Sequence, residues 1–142
     1  MITIKQLLDG KGRQIHAIGP DDPVLQAIGV MAQNHVGALL VMEGTQLQGI
    51  ISERDYARKV VLMGRSSSDT PVRSIMTAAV ITISPDQLVE DAMRTMTEHR
   101  IRHLPVVEGG RVVGVVSIGD LVKCVIDDQR HLIEDLQSYI QG

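Results

Sequence analysis

The 142-residue chain has one cysteine, no phenylalanine and no tryptophan, and its tyrosines are limited to Tyr56 and Tyr139. Cys124 therefore has no partner for an internal disulfide, and a zinc site or redox pair built from the cysteines of one chain is excluded. The scarcity of aromatic rings also leaves little for nucleic acid bases to stack on. A nucleotide bound to this chain has to place its base between aliphatic side chains.

Charge and hydrophobic patterning exclude further classes. The net charge of −3 gives no overall attraction to nucleic acid phosphates, so we expect no nucleic acid partner. No apolar run is long enough to span a bilayer, and the N-terminal residues lack the basic and apolar stretches of a secretion signal. We therefore expect a cytoplasmic protein with no membrane partner.

The two halves of the chain carry the same pattern. Residues 15–57 align with residues 80–122 at a constant offset of 65 without a gap, and 13 of the 43 positions are identical. Chance agreement at ordinary composition is about one position in fifteen. A duplicated element that cannot cover its own apolar face tends to pair with its copy, and the pairing creates two related clefts.

Each copy predicts a strand, a helix, two strands joined by a Gly-containing turn, and a second helix, which makes the fold class α+β. In the first copy Asp21 or Asp22 is placed to cap a helix that Pro23 opens, and Val24, Ala27, Ile28 and Met31 recur at helical spacing. Runs of branched residues predict the paired strands. The single strands are expected near residues 14–18 and 80–83.

We predict a single module over residues 1–142. The first repeat covers about 11–64, a small polar linker covers 65–73, and the second repeat covers about 74–126. The remaining segment, up to about residue 141, carries apolar residues at helical spacing and predicts a long amphipathic helix. Its apolar stripe can dock on the core of the chain or on a second copy, and its length favours a homodimer.

Both hairpins end in the sequence Gly, two apolar residues, Ser, two residues, Asp, at residues 49–55 and 114–120. Serine followed three residues later by an acid is also a helix-capping arrangement, and capping alone explains either copy. The functional interpretation uses the same geometry. A hydroxyl and backbone amides at a helix start suit a phosphate, and the aspartate one turn later can accept hydrogen bonds from ribose hydroxyls. The two interpretations are compatible.

Basic residues lie in and just after the first motif, at Arg54, Arg58 and Lys59, and just before the second hairpin, at Arg100, Arg102 and His103. A guanidinium fork suits phosphate, whereas a solvated charged surface is the alternative. His99 and His103 fit a metal pair only in a continuous helix, and no acid completes the set, so we expect no metal. No nucleophile with a neighbouring base is found, so we do not expect an enzyme.

Taken together, these motifs resemble a tandem pair of cystathionine beta-synthase (CBS) domains, also called a Bateman module, of the small stand-alone bacterial type. The resemblance spans nearly the whole chain. Besides the two Gly-x-x-Ser-x-x-Asp motifs it rests on Ser-Ile-Met-Thr at 74–77, Ile-Ser-Pro-Asp at 83–86 and Arg-His-Leu-Pro-Val-Val at 102–107. It implies two β-α-β-β-α repeats related by a pseudo-twofold axis, and two modules assembled into a disc-like homodimer.

The resemblance also implies a function. It implies a non-enzymatic sensor for signal transduction or energy sensing, which binds AMP, ADP, ATP or NAD(H) in clefts between the repeats, needs no metal for its fold and signals to an unknown regulated protein. AMP is the ligand that we expect first. The alternative is a ligand-free dimerisation or protein-interaction scaffold, in which both motifs only cap helices.

Carried over residue by residue, the resemblance assigns two sets of site residues. The first cleft takes Ser52, Arg54 and Asp55, with Thr77, Val80, Ile101, Arg102, His103 and Pro105 from the second repeat. The second cleft takes Ser117, Gly119 and Asp120, with Ile15, His16, Val36 and Gly37 from the first repeat. Since Gly119 replaces Arg54 and Gly37 replaces Arg102, the second cleft is expected to be poorer in phosphate partners, and to be empty or to hold a less charged part of a ligand.

Overall fold

The structure is a computed structural model that describes residues 1–141, so residue 142, the end of the predicted module, lies outside the described residues. The chain divides into two compact units. The first-repeat unit consists of Gln14–Ile81 together with Gly109–Val112. The second-repeat unit consists of Met1–Arg13, Thr82–Glu108 and residues 113–141. Each repeat is therefore completed by the segment that precedes the other repeat in the sequence.

The described residues form five α-helices and five β-strands. In chain order they are α1 (Ile4–Lys11), β1 (Ala17–Ile18), α2 (Val24–Asn34), β2 (Ala38–Glu43), β3 (Gln46–Ser52), α3 (Glu53–Tyr56), α4 (Val89–His99), β4 (His103–Glu108), β5 (Arg111–Ser117) and α5 (Ile118–Gln141). A π-helical turn, Ala57–Val61, extends α3, and a 3₁₀ turn covers Val72–Ser74. The predicted α+β fold class and the long C-terminal helix are confirmed.

The first-repeat unit is a three-stranded sheet covered by helices. Strand β1 pairs in parallel with β2, and β2 pairs antiparallel with β3. The helical spacing seen in the sequence has a structural reason, because Val24, Ala27 and Met31 form the buried face of α2. They pack in one core with residues of the sheet and the following segments, namely Ile18, Leu39, Val41, Ile51, Val60, Val72 and Ile75.

The second-repeat unit has a smaller sheet, in which the hairpin β4–β5 is the only named strand pair among the described residues. The strand predicted at 80–83 is reduced to a parallel bridge between Ile83 and Val106. A proline explains the difference. In the first-repeat unit Leu40 N donates to His16 O at 3.2 Å, whereas the equivalent residue, Pro105, has no N–H to donate.

The N-terminal segment was not predicted as a helix, and it extends the internal repeat. Helix α1 begins with a capping box, in which Thr3 Oγ1 accepts from Gln6 N at 3.1 Å and Gln6 Oε1 accepts from Thr3 N at 2.9 Å. The segment 2–5 and the segment 70–73 bind their units in the same way. In the second-repeat unit the hydrogen bonds are Val89 N to Ile2 O, Ile4 N to Gln87 O and Lys5 N to Pro85 O. Their equivalents in the first-repeat unit are, in the same order, Val24 N to Thr70 O, Val72 N to Asp22 O and Arg73 N to Pro20 O.

The expected cap of α2 is wrong. Pro23 itself is the N-cap residue of α2, and no side chain caps the helix there. Asp22 Oδ2 instead accepts from Gly19 N at 2.8 Å, and Asp21 pairs with Arg73, whose Nε lies 2.7 Å away. Asp22 thus stabilises the turn before α2, and Asp21 binds the segment that contains Arg73 to that turn. This use of Asp21 depends on a residue 52 positions away, which local pattern does not show.

The long helix α5 does not bury its apolar stripe within the chain. Leu121 is the buried residue of α5, whereas Leu132, Ile133 and Leu136 are all more than half exposed, and Tyr139 and Ile140 are more than four-fifths exposed. Of the two docking partners considered for this stripe, the chain's own core is therefore excluded for this part of the helix. The apolar face of this part of α5 is exposed in the chain by itself.

Candidate functional site

Ser52 and Asp55 bond to each other at the start of α3. Ser52 N donates to Asp55 Oδ2 at 3.0 Å, Ser52 Oγ donates to the same oxygen at 3.1 Å, and Asp55 N lies 3.2 Å from Ser52 Oγ. The capping interpretation of the motif is therefore confirmed. It also fixes the orientation of the Asp55 carboxylate, whose side chain keeps 16% of its surface exposed.

A lysine adds a positive charge to this carboxylate. Lys59 Nζ lies 3.4 Å from Asp55 Oδ1 and donates to Ile75 O at 2.9 Å. Aspartate and lysine four residues apart are neighbours on a helix, so the spacing of Asp55 and Lys59 carried this signal in the sequence. Sequence reasoning named Lys59 as a basic neighbour of the motif but did not assign it to the site.

The backbone amides at the start of α3 are less available than expected. Glu53 N donates to Gly37 O at 3.0 Å, and Asp55 N is used by Ser52 Oγ. Two of the amides that the sequence interpretation offered to a phosphate are therefore already satisfied. A phosphate at this motif has to be bound chiefly by side chains, of which Arg54, exposed in the first turn of α3, is the nearest in sequence.

Thr77 lies at the edge of the sheet that carries the first motif. Ile50 and Thr77 exchange two backbone hydrogen bonds, of 3.0 and 2.9 Å, in an antiparallel bridge beside β3. Thr77 is exposed, and Val80, which is half-buried, follows in a turn where its N donates to Ala78 O at 3.0 Å. The structure thus places Thr77 beside β3, the strand that ends at Ser52, and the assignment of Thr77 and Val80 to the first site stays a prediction.

The second motif repeats the cap. Ser117 N donates to Asp120 Oδ2 at 2.8 Å, and Asp120 N donates to Ser117 Oγ at 3.1 Å. Gly119 occupies the position of Arg54 and is exposed in the first turn of α5. The duplicated sequence therefore produces the duplicated local geometry, without the basic side chain of the first copy.

The aspartate of the second motif has a cationic partner from the other end of the chain. Lys11 Nζ, at the end of α1, lies 2.5 Å from Asp120 Oδ2 and donates to Val115 O at 2.8 Å. Burial raises the pKa of Asp120, but the hydrogen bonds from Lys11 and Ser117 and the charge of Lys11 outweigh burial, so this pKa lies below its ordinary value. Sequence reasoning missed Lys11, because nothing local links residues 109 positions apart.

Comparison with protein families gives two matches to the CBS domain, over residues 12–62 and 72–127. The chain belongs to the CBS domain family. It is 42% identical over 149 residues to the mitochondrial CBS domain-containing protein CBSX3 of Arabidopsis thaliana, a similarity that covers 99% of this chain and 72% of the relative. The predicted family and its tandem arrangement are confirmed.

Solved structures of CBS proteins have the same fold. A putative signal-transduction protein with CBS domains from Burkholderia ambifaria is 51% identical, with a TM-score of 0.87 over 90% of this chain and 96% of that chain. CBS domain protein PAE2072 from Pyrobaculum aerophilum, solved in complex with AMP, is 28% identical, with a TM-score of 0.75 over 84% of this chain and 89% of that chain.

The remaining residues assigned to the first site of the CBS pair lie in the second-repeat unit. Ile101 follows α4 and His103 opens β4, and both are half-buried. Pro105 is buried within β4, and its carbonyl accepts from Ile83 N at 3.0 Å. Arg102 is exposed, and its carbonyl accepts from Ile118 N at 2.9 Å, which fixes its backbone beside the second motif. Their part in the first site stays a prediction.

The residues assigned to the second site from the first repeat lie in the first-repeat unit and are half-buried. Ile15 and His16 precede β1, and His16 O accepts from Leu40 N. Val36 follows His35, which ends α2 in the left-handed conformation at φ 55°, and Val36 N donates to Met31 O at 3.1 Å. The Gly37 carbonyl contacts the start of α3, beside the first motif. Their assignment to the second site also stays a prediction.

A metal site and a membrane-spanning helix are two further features that a sequence with paired histidines and a long helix can suggest. Within residues 1–141, no group of three histidine, cysteine or acidic residues is placed to hold a metal ion. His99 ends α4 and His103 opens β4, with Arg100 left-handed between them at φ 55°, so their spacing is not helical. In the same residues, no helix is both long enough and apolar enough to cross a bilayer.

Proposed function

We propose that this CBS pair is a non-enzymatic regulatory module that binds an adenine nucleotide, AMP before ATP, ADP or NAD(H), at the Ser52–Asp55 motif. Binding biases the conformation of the module and so signals to a regulated protein, in the cytoplasm. A ligand shifts such an equilibrium only through different affinities for the two conformations.

The observation that carries the proposal is the fixed carboxylate of Asp55. Oδ2 accepts two hydrogen bonds from Ser52, and Lys59 Nζ approaches Oδ1 at 3.4 Å, so the side chain does not need to be ordered when a ligand binds. An ionised carboxylate is an acceptor with several lone-pair sites, which suits the two neighbouring hydroxyls of a ribose. The capping role and the binding role therefore use the same orientation.

Basic side chains near this carboxylate favour a phosphorylated ligand. Arg54 adjoins Asp55 in α3, and Lys59 follows one turn later with its ammonium already in the site. Charge-assisted hydrogen bonds from such groups to phosphate are roughly twice as strong as neutral ones. The AMP complex of the CBS protein PAE2072, which has the same fold, supports AMP as the first ligand to test.

The proposal assigns no reaction to the module. Ser52 Oγ bonds to a carboxylate that also caps the helix, and that arrangement does not provide a base which could activate the hydroxyl and then release it. AMP recovered after prolonged incubation with the protein is therefore expected to be unchanged.

The test is titration calorimetry with AMP on the wild type and on Asp55→Ala. Loss of a hydrogen bond to a charged group costs about 1.5–3 kcal/mol, so we expect Asp55→Ala to weaken AMP binding by roughly 10- to 150-fold. Asp91→Ala is the matched control, because Asp91 Oδ2 caps α4 in the same way, accepting from Leu88 N at 3.0 Å. The same affinity and the same number of AMP sites in the wild type and in Asp55→Ala, or no binding by the wild type at millimolar AMP, contradicts the proposal.

We further propose that α5 joins two copies of the CBS pair in a homodimer. The exposed apolar residues Val122, Ile126, Ile133, Leu136 and Ile140 recur at spacings of three, four and seven, which places them on one face of the helix. This exposed stripe is also the observation that favours the alternative function, a ligand-free interaction scaffold. The scaffold predicts assembly through α5 without any effect of nucleotides on thermal stability.

A further inference from the structure

The ammonium group of Lys11 belongs to the hydrogen-bonded set of the second motif. It contacts Asp120 Oδ2 at 2.5 Å and Val115 O at 2.8 Å, and the side chains of Lys11 and Asp120 remain 35% and 26% exposed. Helix α1 holds the lysine in place, because Ile4, Leu7 and Leu8, which lie on the same helical face as Lys11, are buried. A solvent-accessible cation is thus fixed beside the carboxylate that corresponds to Asp55.

The Lys11 ammonium donates to a strand carbonyl whose equivalent in the first-repeat unit accepts from a backbone amide. Ile50 and Val115 are equivalent residues in β3 and β5. Ile50 O accepts from Thr77 N at 2.9 Å, whereas Val115 O accepts from Lys11 Nζ. The difference arises because α1 stays helical as far as Lys11 and therefore provides no bridging strand. The residue at this edge is an uncharged threonine in one unit and a lysine in the other.

Neither packing nor backbone conformation explains the glycine at position 119. A Cβ built there meets only Ser117 Oγ, at an ordinary contact distance of 3.6 Å, and no positive φ requires glycine. Glycine within a helix costs about 0.5–1 kcal/mol relative to alanine. The absent side chain leaves open space beside Asp120, on the residue where the first motif carries Arg54.

We propose, on the basis of the proposed function, that Lys11 is the phosphate-binding residue of the second motif. Together with Ser117 and Asp120 it binds a phosphorylated adenosine ligand. An ammonium has three N–H donors, of which Asp120 and Val115 use two, so one is left for a phosphate oxygen. The side chain of Asp120 remains 26% exposed, so its carboxylate can also accept from a ribose hydroxyl. Lys11 also cancels the charge of Asp120, which alone repels a phosphate.

The proposal replaces the expectation that the second motif is poor in phosphate partners. The sequence comparison set Gly119 against Arg54 and found no cation, because the cation comes from α1 and not from the motif itself. The two motifs therefore bind phosphate with side chains from positions that are not equivalent in the repeat.

The experiment isolates the second motif in an Asp55→Ala background and compares AMP with adenosine by calorimetry. We expect Lys11→Met to weaken AMP binding by about three- to tenfold, in keeping with a half-exposed ion pair, and to leave adenosine binding unchanged. Lys11→Arg should restore AMP binding. Lys5→Met, an exposed lysine on the same helix, is the control and should change neither affinity.

Three outcomes overturn the proposal. A gain in AMP affinity in Lys11→Met would show that Lys11 blocks the motif, and an equal loss for AMP and adenosine would show that it only orients Asp120. No AMP binding in the Asp55→Ala background would show that the second motif is not a nucleotide site. That last result leaves the proposed function intact if the wild type binds AMP, so the two failures are distinguishable.

Discussion

Met76 Sδ lies 2.7 Å from the point that a Cβ on Gly49 would occupy, and Thr77 O lies 2.8 Å from the same point. Gly49 opens the first Gly-x-x-Ser-x-x-Asp motif. The close approach of the segment that carries Thr77 therefore requires glycine at this position. The second motif shows the same relationship, since Leu8 Cδ2 lies 2.8 Å from the Cβ position of Gly114.

We predict that Gly49→Ala destabilises the protein by about 1–3 kcal/mol, the usual cost of forcing extra atoms into a packed site. Gly114→Ala should cost less, because the Leu8 atoms in its way are the end of a flexible side chain, whereas Thr77 O is backbone. Urea denaturation of both variants measures the difference. Gly29→Ala is the control, since nothing lies within 4 Å of its Cβ position in α2, and it should be neutral or stabilising. A smaller cost at Gly49 than at Gly114 would contradict the packing argument.

The ion pair of Lys11 and Asp120 should make stability depend on pH. The folded pKa of Asp120 lies below its unfolded value of 3.8. The contribution of this carboxylate is therefore fully present above pH 3.8 and is lost as the pH falls through the folded pKa. We expect a coupling energy between Lys11→Met and Asp120→Asn of up to about 1 kcal/mol at pH 7, given the partial exposure of both side chains.

The measurement is a double-mutant cycle from urea denaturation at several pH values. The coupling energy should remain constant between pH 7 and pH 5 and should fall towards zero as the pH drops below 3.8 and through the folded pKa of Asp120. High salt should reduce it as well. A coupling energy that persists in acid would mean that Lys11 stabilises the protein by packing and not by its charge.

The exposed stripe of α5 predicts that charge on this face prevents assembly. Leu136→Glu places a carboxylate in the proposed dimer contact, and the residue is 54% exposed in the chain by itself, so the fold of each copy should tolerate it. Light scattering after size exclusion should show a dimer for the wild type and a monomer for Leu136→Glu. Ser138→Glu, two residues along and on the opposite face of the helix, should leave the dimer intact. A monomeric wild type would refute the homodimer.

Much of each unit could be predicted from local pattern. The identities at offset 65 predicted the order of elements, and the helical recurrence of Val24, Ala27 and Met31 predicted the buried face of α2. Ser52 and Asp55 are three residues apart, so capping geometry follows from their spacing alone. Helix α1 carries a signal of the same kind, Thr3 followed three residues later by Gln6, which lies outside the aligned residues 15–57 and 80–122.

The sequence by itself determined the family, the duplicated motifs and the local hydrogen bonds of each motif, because these depend on side chains a few residues apart whose spacing sets their geometry. Only the tertiary structure decided which lysine forms an ion pair with the aspartate of the second motif. Lys11 reaches Asp120 because residues 1–13 belong to the unit of the second repeat, and Met76 reaches Gly49 because the residues after the linker, up to Ile81, belong to the unit of the first. Such contacts depend on the path of the whole chain, which is set mainly by the burial of apolar surface. Because the hydrophobic effect is not directional, no single motif specifies which distant residues come into contact.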